Sequence, residues 1–153
     1  MRETTGWGVF VGLALLAAIG SARGWTQTPE AASSGTLSQS RVYVLEQMPV
    51  RKMANGGESR DVLHGALATG EAVGVHESVQ PAGATPSPLH TIQHSELITV
   101  LEGTLEFDHD AKEEKVGPGG VIYVAMGTLH RLKNVGDVPA KYCVVQIGGD
   151  TKK

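Results

Sequence analysis

From residue 61 onward the chain reads as short runs of alternating apolar and polar residues, each cut off by glycine, proline or charge. The runs are DVLHGALAT (61–69), EAVGVHESV (71–79), ELITVLE (96–102), TLEFDHD (104–110), VIYVA (121–125), HRLKNV (130–135) and AKYCVVQI (140–147). A period of two puts successive side chains on opposite faces of an extended strand. In EAVGVHESV, Val73, Val75, Glu77 and Val79 therefore share one face, and Gly74, His76 and Ser78 the other. No segment carries sustained helical periodicity with a cap at each end. About eight or more short strands at roughly ten-residue spacing predict an all-β sandwich or barrel. The 20 glycines and 7 prolines, scattered rather than periodic, supply the turns between them. Sheets that curl around an interior leave a pocket wherever side chains do not fill it.

The breaks have their own chemistry. NGGES (55–59) and QPAGATPSP (80–88) read as loops, Gly103 as a corner between two strands, and DAKEEKVGPGG (110–120) as a charged turn followed by a Pro/Gly turn. Within it, Glu113, Glu114 and Lys115 read as solvated.

The N-terminus follows a different logic. Arg2 precedes an apolar stretch from Val9 to Ile19, and small residues follow at Gly20, Ala22 and Gly24. This is the layout of a secretory signal over residues 1–24, too short for a membrane span, which needs about 20 apolar residues. Residues 25–40, rich in Thr, Pro, Ala, Ser and Gly, read as a flexible linker. The domain is expected over residues 41–150, beginning at RVYVLEQM, in an exported protein of the periplasm or extracellular space.

Removal of residues 1–24 makes the formal charge of −3 one unit more negative. No basic stripe or Lys/Arg-aromatic cluster exists, which argues against a nucleic-acid partner, and after cleavage no membrane segment is expected. Cys143 is the only cysteine and cannot form an internal disulfide; beside Val145 and Ile147 it reads as packing. A Gly-x-Ser-x-Gly elbow and a phosphate-binding glycine loop are both missing, so hydrolase and nucleotide readings have no support.

The segment LHTIQHSELITVLEG (89–103) holds the candidate chemistry. His90, Ile92, His94 and Glu96 share parity, yet His90 and Glu96 would stand roughly 20 Å apart in an extended chain. Metal ligands lie about 2.0–2.2 Å from the ion, so these residues can meet only if the backbone reverses within Ile92 to Ser95. A second segment, GGVIYVAMGTLHRLKN (119–134), places His130 after a turn at the start of another strand. His64 and His76 lie on strands where either could line a pocket, and His109 lies beside Asp108 and Asp110 near an exposed hairpin. Tyr123 and Tyr142 are candidate hydrogen-bond donors inside the barrel.

The two segments together resemble the motifs of the cupin superfamily. The first motif is Gly, five residues, His-x-His, three or four residues, Glu, six residues, Gly; here it reads Gly83, six residues, His90, Glu96, six residues, Gly103. The second is Gly, five residues, Pro-x-Gly, two residues, His, three residues, Asn; here Gly119, Gly127, His130 and Asn134 stand in full register, with Ala125 in place of proline. The resemblance spans Asp61 to Ile147 and implies an antiparallel jelly-roll β-barrel. It also implies metal-ligand roles for His90, Glu96 and His130. The departure is Ile92, which occupies the place of the second histidine and cannot coordinate.

Three arrangements stay open. His90, Glu96 and His130 form a two-histidine, one-carboxylate site; or His94 swings in from the turn to complete a three-histidine, one-glutamate shell; or the metal has been lost with Ile92. The donor types suit Fe, Mn, Ni, Cu or Zn without choosing among them. The resemblance implies a metal-dependent enzyme acting on a small organic molecule, in its most concrete form a dioxygenase with Glu96 as ligand and proton carrier. The alternative is a binding module without turnover, and a purely structural barrel is the third class. Pairing into a homodimer through the outer sheets is a further implication.

Overall fold

A computed structural model describes residues 35–151; the expected signal and residues 25–34 of the expected linker lie outside them. Nine strands follow one another with no α-helix among the described residues: β1 (Arg51–Lys52), β2 (Glu58–Ala66), β3 (Ala72–Gln80), β4 (Ser95–Glu102), β5 (Leu105–His109), β6 (Lys112–Val116), β7 (Val121–Val124), β8 (His130–Asn134) and β9 (Ala140–Ile147). Six form one sheet in the order β1-β2-β3-β9-β4-β7 and three form the other in the order β6-β5-β8. Every pairing between these strands is antiparallel. This is the all-β architecture expected from the spacing of the runs and the jelly roll implied by the resemblance.

Glu58 and Ser59, read as the end of a loop, open β2 and pair with β1, and the charged turn also departs from the sequence reading. KEEKV was read as part of a charged turn and is strand β6, paired with β5 from Leu105–Val116 to His109–Lys112. The turn is only Asp110–Ala111, both at positive φ (46° and 58°), which is the backbone of a two-residue hairpin whose twist matches that of its strands. The charges persist because β6 is an edge strand, where they are solvated and discourage pairing with another chain. RVYVLEQM, where the domain was expected to begin, holds a 3-10 turn, Leu45–Gln47, near its end. Upstream of it, Gly35–Leu37 lie along the end of β2, with Leu37 N donating to Ala66 O (2.8 Å) and Ala66 N to Gly35 O (2.9 Å).

The large sheet is best understood by its cross-strand rows. On its inner face three rows run across it: Arg51–Ser59–Ser78–Tyr142–Val100, Asp61–His76–Val144–Ile98–Ile122, and His64–Gly74–Gln146–Glu96–Val124. Each is polar or small at the β1–β3 end; the first two are apolar at the β4–β7 end, and the third keeps Glu96 there beside Val124. The apolar ends pack with Leu105 and Phe107 of the small sheet into one buried core, and Ile92, Val116 and Leu132 close its margin. Ile98, Val100, Leu105 and Val124 are its most completely buried large side chains. The polar ends have no such partner and leave space. On β3 the valines thus face outward and the small and polar residues inward, the reverse of an ordinary half-buried strand. Fold and pocket arise from the same rows.

Candidate functional site

Between the polar half of the large sheet and the small sheet lies a cavity of about 250 Å³, lined among others by His76, His90, Glu96, His130 and Tyr142. His90 and Glu96 reach it because the chain reverses between them, with Gly127 N donating to Ile92 O (2.9 Å) at the bend. Ile92 turns into the margin of the core, which removes the second-histidine position from the cavity.

His90 and His130 are fastened to each other through the main chain. His90 N donates to His130 O (3.0 Å) and His130 N to His90 O (2.9 Å), an isolated antiparallel bridge. Their rings sit 4.7 Å apart, tilted by 45°. Each ring also has one nitrogen against a carbonyl two residues back: His90 Nδ1 to Pro88 O (3.1 Å) and His130 Nδ1 to Thr128 O (2.9 Å). A carbonyl can only accept, so Nδ1 carries the proton in both rings. In a neutral imidazole the other nitrogen, Nε2, then carries a lone pair.

Glu96 is held from the other side. Its Oε1 accepts from His94 Nε2 (3.0 Å) and from Gln146 Nε2 (3.2 Å). The other ring nitrogen of His94, Nδ1, donates to Asp150 Oδ1 (2.6 Å). His94 therefore faces a carboxylate at each nitrogen. Burial disfavours its charge, but the hydrogen bonds to Asp150 and Glu96 outweigh burial and lift its pKa above the ordinary value. An imidazolium with both N–H groups engaged has no lone pair for a cation. His94 thus holds Glu96 from one ring nitrogen and Asp150 from the other. Among the described residues, no three His, Cys, Asp or Glu side chains converge on one point as a bound metal requires.

The remaining candidates separate clearly. His76 lies opposite Asp61 and faces the cavity; burial lowers its pKa more than Glu96 and Asp61 raise it, leaving a neutral imidazole. His64 lines an adjoining cavity of about 430 Å³ together with His76, His94 and Asp150. His109 bonds Asp110 (3.1 Å) and Glu114 (2.7 Å) and stacks on Phe107, away from the site. Tyr142 reaches the interior, where its hydroxyl accepts from Gln80 Nε2 (3.0 Å), whereas Tyr123 is exposed on the outer face. Asn134 is a structural tie: its Nδ2 donates to Gln80 O (2.9 Å) and Val138 O (2.8 Å), and its Oδ1 accepts from Gly136 N (3.0 Å).

Asp150, Gln146 and Arg51 were not read as site residues from the sequence. Gly148 and Gly149 announce a turn before Asp150, but nothing local says that this turn lands on Gln93 and His94. A side-chain carbon on Gly149 would overlap the Gln93 carbonyl, and Asp150 N donates to that same oxygen (3.2 Å).

Comparison with known proteins fits this geometry. Residues 75–146 match the family model of the cupin domain. An uncharacterized protein of Methanocaldococcus jannaschii is 28% identical over 87 residues, 57% of this chain and 70% of the relative. The fold superposes on a predicted oxalate decarboxylase of Thermotoga maritima (TM-score 0.59, 19% identity, 70% of this chain and 98% of that one). It superposes equally well on an RmlC-like cupin of Shewanella frigidimarina (TM-score 0.59, 16% identity, 73% and 95%).

Proposed function

This chain belongs to the cupin superfamily, and we propose that its interior cavity binds a divalent metal and a small organic molecule together. The observation that carries this reading is the paired histidines. Main-chain carbonyls hold the Nδ1 protons of His90 and His130, which orients two Nε2 lone pairs, and Glu96 stands on the wall of the same cavity. Two imidazoles and a carboxylate are a donor set suited to Fe, Mn, Ni, Cu or Zn. Such an ion supplies a Lewis acid that polarises a substrate oxygen. The chain's own residues do the rest: His94 and Gln146 fix Glu96 Oε1, leaving the other oxygen for a cation or a proton, and Leu132 and Val144 keep part of the wall apolar. Dioxygenase-like chemistry on a small enol or phenolic compound is the enzymatic form of this reading.

A second reading, binding without turnover, draws on Ile92 in the core margin and on His94 turned toward carboxylates, which together leave fewer donors than a full shell. One series of measurements separates the two. Metal content of the purified chain is determined with and without His130→Ala, followed by oxygen uptake on a panel of enols and phenols. Stoichiometric metal lost in the variant supports the site, and uptake then supports the enzyme. A metal-free protein refutes the first reading.

We also propose export, directed by residues 1–24 and tested by N-terminal sequencing of the mature protein from an expressing cell. For assembly we propose a homodimer. The outer face of the large sheet carries the row Leu63–Val75–Val145–Leu97–Tyr123, in which Leu97 and Tyr123 are 40% and 63% exposed. Pairing through this face predicts that Tyr123→Lys gives a monomer in analytical ultracentrifugation, and a wild-type monomer refutes it.

A further inference from the structure

The row that crosses the inner face at Arg51 contains two groups the proposed metal chemistry does not use. Arg51 on β1 lies directly opposite Ser59 on β2, and both line the cavity that holds His90, Glu96 and His130. Residues directly opposite in antiparallel strands share a face with Cβ atoms about 4.5–5.5 Å apart. The guanidinium makes no hydrogen bond or ion pair with any described residue. The cations around it are all engaged: Lys52 pairs with Glu58, and Arg60 with Glu77 at 3.2 Å. Ser59 is only 2% exposed, yet its Oγ has no hydrogen-bond partner. A buried hydroxyl without a partner is rare, because its lost hydration goes uncompensated.

Donors dominate this wall. Beyond Ser59 the row continues to Ser78 and Tyr142, whose hydroxyls bond each other while that of Tyr142 also accepts from Gln80, which leaves Ser59 Oγ as the unpartnered hydroxyl of the row. A positive fork beside an unpartnered hydroxyl calls for an anion that accepts several hydrogen bonds. The charge count selects among anions. Beside Arg51 and Glu96 a carboxylate adds one negative charge to the cavity and a phosphate dianion two, so the carboxylate meets less repulsion. Planar, two-point pairing also favours a carboxylate on arginine. The volume of about 250 Å³ falls below the range of about 300–1,000 Å³ typical of drug-sized ligands, so the acid must be small.

We propose that Arg51 and Ser59 form a carboxylate receptor and that the ligand of this cavity is a small organic acid. The receptor wall and the His90–Glu96–His130 wall line one space, so the acid is gripped at its carboxylate while the rest of it faces the histidines. This assignment rests on the reading of the cavity as a ligand site, and it does not require that a metal be present.

The test uses the full chain and calorimetric titration with acetate, oxalate, malonate and succinate, with acetamide and inorganic phosphate as controls. At least one carboxylate binds while acetamide does not. Arg51→Gln weakens binding by about tenfold or more, the size of a lost charge-assisted hydrogen bond, and Arg51→Lys recovers part of it. Ser59→Ala weakens binding too, yet raises the thermal midpoint, since removing an unpartnered hydroxyl relieves the folded state. A merely structural serine would not give these opposite signs. Silence toward every acid, unchanged affinity in Arg51→Gln, or preference for phosphate overturns the proposal. Metal analysis of the same samples keeps the two readings apart. Metal without acid binding sinks only the receptor, and acid binding without metal sinks only the metal site.

Discussion

His94 Nδ1 donates to Asp150 Oδ1 at 2.6 Å, joining the turn before β4 to a turn 56 residues later, beyond the end of β9. Through His94 Nε2 the same ring holds Glu96, so the orientation of a central carboxylate depends on a residue outside the matched domain segment. Asp150→Asn removes the charge from this chain of contacts. The Asp150 side chain is 60% exposed, so solvent screening reduces a charge-assisted bond to about 1 kcal/mol of stability, measured by urea denaturation. Wild-type stability in the variant would show that the contact is not maintained in solution.

Stability should peak near the ordinary histidine pKa of 6.5, for reasons of opposite sign. Burial, ahead of the opposing pull of Glu96, holds His76 below that value in the folded chain. Below pH 6.5 the unfolded chain therefore binds more protons, and stability rises with pH. His94 and His109 have raised values: His94 because bonds to Asp150 and Glu96 exceed the larger single effect of burial, His109 chiefly through Glu114 and then Asp110. Their contribution is complete below 6.5 and is lost as pH climbs through the folded values. Thermal midpoints between pH 5 and 8.5 trace this dome. His76→Gln flattens its acid limb and a His94→Gln, His109→Gln double variant its alkaline limb.

Gly103 sits at φ +75°, and a side-chain carbon there would press to 2.7 Å from Ala140 Cα and Pro139 O. Both the backbone conformation and the close approach select glycine. Gly103→Ala costs about 2 kcal/mol or more, read as a lower denaturant midpoint with an unchanged slope.

Asn134→Ala deletes two donated and one accepted hydrogen bond that tie β8 to Gln80, Val138 and Gly136. At about 1 kcal/mol per bond the loss is roughly 3 kcal/mol. Metal content at the histidines should be unchanged, because Asn134 supports the fold on the far side of Leu132. A variant that loses metal but keeps its stability would reverse this assignment.

The elements most legible in the sequence are those with a strict period of two. β3, β4, β5, β7, β8 and β9 lie where alternation of Val, Ile, Leu and Tyr places them, and Gly103 is the corner it was read to be. The charged strand β6 was hidden because an edge strand buries no face and so leaves no apolar stripe to read. His90, Glu96 and His130 were visible as residue types at meaningful spacing, and their shared cavity follows from the reversal after Ile92.

Tertiary structure alone decided what each of them touches. Alternation divides β3 into two faces but does not say which is inner, and here the sheet order turns Gly74, His76 and Ser78 inward. Local sequence likewise left His94 free to point toward a metal or away. The turn Gly148–Gly149–Asp150 settles on Gln93 and places a carboxylate at one ring nitrogen while Glu96 takes the other. Arg51 and Ser59 meet for the same reason, through strand register. Pattern in a chain specifies faces and turns because these depend on neighbouring residues; hydrogen bonds between residues 56 or 62 apart depend on which strands the fold lays side by side.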